Sequence, residues 1–248
     1  MHRDYRSVVN DRAGARESES PILWSSDRLI ASRLHTVVVL AALVAWVYGG
    51  ALLAAPHPHR VRLYLVSIGG EWLLFALILG GVLRARTPIS CVIGERWHSH
   101  RELLRDIGIA ASFWAAAVPV LYLLRLLLGV TNLGTSVLAL LPRSAIEIAL
   151  WLGVSVTAGI CEETIFRGYL QRQLMVMTES RPAGVLLAAA AFGLAHLYQG
   201  WRMATVLGLY GLMFGVLAYW RSTVRPGMIA HAWQDLLSGV LGAIFLRR

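Results

Sequence analysis

The sequence predicts an all-α fold, a polytopic transmembrane helical bundle of about seven spans. Hydrophobic residues fill 57% of the 248 positions and charged residues only 15%, a balance outside the range of soluble globular domains. Apolar runs of the length that crosses a bilayer, roughly 17 to 25 residues, recur along the chain. All 23 basic residues are arginine, and they gather between those runs, where basic residues set membrane orientation. Zinc-finger spacings, a Gly-rich phosphate loop and a basic patch interleaved with aromatics are all missing, so no nucleic-acid partner is expected.

The first 35 residues are polar and arginine-rich and lack an apolar core followed by a small-residue cleavage site. They read as a retained cytoplasmic tail. Candidate spans follow at 36–55, 61–83, 107–128, 144–172, 182–198, 203–220 and 226–246. "PHPHR" separates the first two, its prolines breaking any continuing helix in a tight turn. Between the second and third, Arg84, Arg86, Arg96, Arg101 and Arg105 form the densest basic loop. With Arg3, Arg6, Arg12, Arg16, Arg28 and Arg33 of the tail, that loop sets the N-terminus inside. Arg172, Arg181, Arg221 and Arg225 agree, while Arg60, Arg62, Arg247 and Arg248 run against this orientation. Cys91 and Cys161 fall in a connecting stretch and an apolar run, so no disulfide framework is expected.

Charges inside the later spans need an explanation, because one at the centre of a membrane helix costs on the order of 2.5 to 3.5 kcal/mol. In "GICEETIFRGYL" of the fourth span, Glu163 and Arg167 are four apart, on one helical face and in the favourable order. Glu162 is turned about one hundred degrees away and has no such partner. A carboxylate without a cation in a low-dielectric site is a stronger base than one in water, which makes Glu162 the general-base candidate. Read alone, the stretch fits equally well with the polar end of a long helix and a snorkelling Arg167.

Two more spans shift the balance. "AAAAFGLAHLYQG" places Phe192 and His196 four apart in the fifth, and "RPGMIAHAWQDLLSG" places His231 and Asp235 four apart in the seventh. A carboxylate at that spacing can orient an imidazole and fix its tautomer; each feature alone would pass for an inter-helix hydrogen bond. Three independent packing accidents are less economical than one shared site. Two glutamates, two histidines and an aspartate can activate water and stabilise an oxyanion, or bind a metal.

Those residues resemble a known family. "EETIFR" resembles the motif EExxxR, "FGLAH" the motif FxxxH, and "HAWQD" the motif HxxxN or HxxxD of the CAAX prenyl endopeptidase and bacteriocin-processing enzymes, the CPBP or Abi intramembrane proteases. The resemblance covers roughly residues 144–245, and its strength lies in the ordered set. It implies an intramembrane endopeptidase in which Glu162 activates water together with His196, and His231, with the residue at Asp235, helps to stabilise the oxyanion. Glu163, Arg167 and Phe192 would be supporting residues. The prenyl-protein endopeptidases have asparagine where this chain has Asp235; an ionised aspartate cannot donate to an oxyanion, so here it would orient His231 or stay protonated. The family is described both as metal-dependent and as metal-independent. Without an HExxH helix, no metal cofactor is expected, with zinc as the alternative.

The resulting organisation is a cytoplasmic tail at 1–35, accessory spans and the basic loop at 36–143, and a CPBP-like catalytic membrane core at 144–246. Its expected partners are the bilayer and a membrane-associated protein or peptide substrate, its site is expected to open towards the cytoplasmic side, and the arginine- and alanine-rich composition suggests a bacterial cytoplasmic membrane. Other readings are a non-catalytic scaffold or bacteriocin-immunity protein of the same fold, or a proton-coupled transporter; the latter would be expected to show repeats and broken spans. Cys161 reads as a packing residue and not as a nucleophile. Glu71, inside the second span and outside every motif, is left with three readings: substrate contact, pairing with an arginine, or a proton path.

Overall fold

A computed structural model describes residues 28–53, 59–130, 138 and 140–245. The tail up to residue 27, the prolines of the expected turn and the terminal Arg247 and Arg248 lie outside them. Among the described residues eight helices follow in order: α1 (Arg33–Leu53), α2 (Arg60–Arg84), α3 (Ser90–Ile93), α4 (His100–Leu127), α5 (Ala145–Met177), α6 (Arg181–Ala195), α7 (Trp201–Arg221) and α8 (Arg225–Phe245). No strand occurs among the described residues. Apart from the one-turn α3, each helix coincides with a span expected from the sequence. By length and composition α2, α4, α5 and α7 are long and apolar enough to cross a membrane, and α1 and α6 are shorter apolar helices. The bundle is therefore that of an all-α membrane protein.

Helix starts follow local chemistry. Ser144 caps α5 by accepting from the Glu147 amide at 3.3 Å, and the Glu147 carboxylate accepts from the Arg143 amide at 2.6 Å. Ser99 and Glu102 repeat the arrangement at α4, where Glu102 accepts from the His98 amide. Each pair satisfies amide donors that a helix start leaves without partners.

The centre of the bundle is α5, packed between α2 and α8 and meeting α6 along its second half. It is α-helical over Ala145–Glu162, a π-helix over Glu163–Gln171, and α-helical again over Arg172–Met177. Every residue of the π segment is buried. The glycine run of α7 is a close-packing surface, as its sequence suggests: a Cβ on Gly193 of α6 would stand 3.0 Å from the Gly208 Cα and 2.8 Å from the Ala204 carbonyl. Small residues let membrane helices approach to this distance.

Two docks outside the catalytic segment hold α5 in place. Gln173 accepts from the Ile30 amide at 2.9 Å and donates to the Ala31 carbonyl at 3.0 Å and the Thr36 hydroxyl at 2.7 Å. His35 donates from Nε2 to the Leu77 carbonyl, so its Nδ1 accepts from the Tyr169 hydroxyl at 2.6 Å. At the arginine-rich end, Trp97 donates to Asp106 at 2.8 Å and lies under the Arg225 guanidinium, which donates to the Gly94 carbonyl. Trp97 thus clamps a loop instead of serving only as an interfacial anchor, and Trp114 likewise donates to Gln234 of α8 at 2.9 Å.

Candidate functional site

The two glutamates part company at the junction of α5's α-helical and π-helical stretches. Successive residues of an α-helix point about one hundred degrees apart, and Glu162 ends the α-helical stretch while Glu163 begins the π-helix. Single π turns inside α-helices recur at functional sites. Glu163 is fully buried, whereas the Glu162 side chain keeps 19% of its exposure.

Glu163 is the hub. Its Oε1 accepts from Arg167 Nη1 at 2.8 Å and from His231 Nδ1 at 2.9 Å. The expected pairing along one helix face is therefore present, and a histidine from α8 joins it. Arg167 Nη2 donates to the Gly211 carbonyl at 3.2 Å, and its guanidinium lies 4.3 Å from the Phe192 ring centre and 5.1 Å from that of Phe214. Two glycines make room: a Cβ on Gly211 would come within 3.1 Å of Arg167 Nη2, and one on Gly227 within 3.0 Å of Glu163 Oε2.

With Nδ1 donating to Glu163, the tautomer of His231 is constrained and its Nε2 points the other way. There it faces two carboxylates, Glu162 Oε2 and Asp235 Oδ2, each at 3.7 Å. That spacing is too long for a direct hydrogen bond but within the range of an ion pair. The direct hydrogen bond to His231 is thus made by Glu163 from another helix, and not by Asp235 from its own, although the i, i+4 spacing pointed to Asp235. Stacking on Phe214, 5.4 Å between ring centres, steadies the imidazole further.

His196 ends α6. Its Nδ1 donates to the Phe192 carbonyl at 2.8 Å, which leaves Nε2 as the acceptor. The Phe192 ring stands between the two histidines, 4.7 Å from the His196 ring and 6.2 Å from the His231 ring. His196 makes no hydrogen bond to Glu162 among the described residues; it joins the group through Phe192 and through its electrostatic action on Asp235. All the motif residues therefore meet around His231, with His196 at the margin.

Glu71 was the residue the motifs could not place. It lies on α2, beside α5, is 9% exposed, and faces Glu162, His231 and Asp235 electrostatically. Its charge inside an apolar run was the only signal available. Cys161 is fully buried in the core shared with Ile78 and Ile165, where no nucleophile could reach a substrate. Among the described residues no group of three His, Cys, Asp or Glu side chains is placed to hold a metal ion.

The two sides of the site differ. Towards the arginine-rich loop it is closed by buried Phe166, Leu170, Gln171, Phe214 and Val224. Towards the link between α6 and α7, Leu197 and Tyr198 are each 46% exposed and Asp235 is part-exposed. The more exposed residues around the site thus lie away from the arginine-rich loop, whereas the sequence led one to expect an opening towards it.

Bundle and site together define a helical integral membrane protein with a buried cluster of carboxylates, histidines and one arginine. Residues 144–237 match the family model described as Rce1-like, type II CAAX prenyl endopeptidase. That segment holds all three motifs, and over it the chain is similar to the CAAX prenyl endopeptidase family that they resemble. The comparisons with curated proteins and with solved structures return no match.

Proposed function

We propose that the protein is an intramembrane endopeptidase that hydrolyses a peptide bond of a membrane-associated protein or peptide through a glutamate-activated water, without a metal. The observation that carries this reading is His231, anchored by Glu163 with its Nε2 3.7 Å from both Glu162 and Asp235. Similarity to the CAAX prenyl endopeptidase family over residues 144–237 supports peptidase chemistry in general.

In this mechanism a water between Glu162 and the histidines gives a proton to Glu162 while its oxygen attacks the scissile carbonyl carbon. His196 Nε2 accepts a hydrogen bond from that water and orients it. The carbonyl π bond opens to an oxyanion, and His231, protonated on both nitrogens, donates from Nε2 to that oxygen. Asp235 holds the imidazolium from the exposed side. As the C–N bond breaks, Glu162 returns its proton to the departing nitrogen, leaving a new carboxyl terminus and a new amine. Glu163 and Arg167 hold His231 and the π segment in register, with Phe192 beneath the guanidinium. The arginine distribution puts the N-terminus inside, and a bacterial cytoplasmic membrane is the proposed location. In that orientation the exposed side of the site faces the outer half of the bilayer.

Purified protein in proteoliposomes, given a library of fluorogenic peptides, tests the reading. Glu162→Gln should lower the rate of any cleaved peptide by about 10²- to 10⁴-fold, the range for losing a general base. Equal cleavage by wild type and variant would overturn the role of Glu162.

A further inference from the structure

Glu71 belongs to a helix outside the matched segment, yet the packing of α2 on α5 aims it at the site. Trp72 donates from Nε1 to the Thr157 hydroxyl at 3.3 Å, and Ile68 packs across from Gly153. Further along, Leu74 and Ile78 share a core with Cys161 and Ile165. Between these contacts the Glu71 carboxyl is nine-tenths buried, and its Oε2 has no hydrogen-bond partner among the described residues. The charged groups that face it are Glu162 of α5 and His231 and Asp235 of α8, and no arginine is among them. The chain contains no lysine.

The charges of the site are thus unevenly shared. Glu163 is satisfied by Arg167 and His231 together. Among the described residues, Glu71 and Asp235 face the far nitrogen of His231, with His196 beyond Asp235, and Glu162 faces it together with the more distant charge of Arg167. A buried carboxylate oxygen without a partner is costly, and three carboxyls around one imidazole make a concavity that favours positive charge. The Glu162 Oε2 atom is also buried without a hydrogen bond.

We propose that Glu71, with Asp235 and Glu162, forms a cation-accepting subsite, so that the substrate presents a lysine or arginine side chain beside the bond that is cut. This rests on the endopeptidase reading and names the substrate class for it. The ammonium or guanidinium group supplies the donors that the Glu71 carboxyl lacks, while its apolar stem lies along the lipid-facing wall. Glu71 acts as a specificity residue, and the reaction itself stays with Glu162 and the histidines.

The test uses full-length protein in detergent and two peptides identical except for lysine or norleucine next to the scissile bond. Binding is read by displacement of a fluorescent lysine peptide, and cleavage separately by mass. Wild type should favour the lysine peptide by about tenfold or more in kcat/KM, carried mainly by KM, as a matched charge in a low-dielectric site requires. Glu71→Gln should collapse that ratio, and Glu71→Asp should restore part of it, which a merely structural residue would not do. Cleavage without a lysine preference, or an unchanged ratio in Glu71→Gln, would overturn the subsite and leave the endopeptidase standing. Selective lysine-peptide binding that depends on Glu71, with no cleavage, would support the subsite and contradict the endopeptidase. Failure to bind either peptide overturns the subsite.

Discussion

Replacing Glu163 with glutamine is the perturbation whose consequence the structure fixes most tightly. Glu163 is fully buried, Arg167 is 1% exposed, and the two meet at 2.8 Å. The amide retains the shape but not the charge, so it leaves a guanidinium without its counter-ion and His231 Nδ1 with a weaker acceptor. Removing one partner of a buried ion pair costs about 3–5 kcal/mol. At about 2–4 °C per kcal/mol for a chain of this size, the unfolding midpoint should fall by about 6–20 °C. Native tryptophan fluorescence during heating in detergent reads this, with nine tryptophans as reporters. The double variant Glu163→Leu with Arg167→Met buries no orphaned charge and should recover much of the lost stability. Its activity should not recover, because His231 still lacks its anchor. A single variant as stable as wild type, or a double variant no more stable than the single, would refute the reasoning.

Further predictions are more local. Gly211→Ala pushes a methyl against Arg167 and Phe192 at about 3 Å and should cost about 1–3 kcal/mol by overpacking, read as a lower midpoint. Cys161→Ala should retain activity in the peptide assay, since the thiol lies in the core; loss of cleavage in a folded variant would contradict this. Treatment with a chelator should leave cleavage unchanged, and zinc-restored activity after its loss would overturn the metal-free reading. In a Cys91→Ala background, Tyr198→Cys should react with a membrane-impermeant maleimide added to intact cells. Labelling only in inside-out vesicles would contradict the proposed orientation.

Much of this arrangement was legible in the residues, for reasons that also explain the rest. Apolar run length marked the helices, and the i, i+4 spacing put Glu163 beside Arg167. Periodicity describes one helix at a time, however, and says nothing of what lies across the interface. The bond from Glu163 to His231 spans 68 positions, so the spacing of His231 and Asp235 showed their proximity but not the carboxylate that makes the direct hydrogen bond. The π segment has no local sequence signature; it is held by tertiary contacts such as Gln171 with the Gly215 carbonyl and Tyr169 with His35. Glu71 was visible as a charge in an apolar run, but only the packing of Trp72 on Thr157 turns it towards the site.

The most direct test of proteolysis compares peptide termini in membranes from cells expressing wild-type protein or Glu162→Gln at equal levels. The account predicts new termini with wild type only, arising from membrane-associated proteins. Identical termini in both, with both proteins correctly inserted, would contradict it.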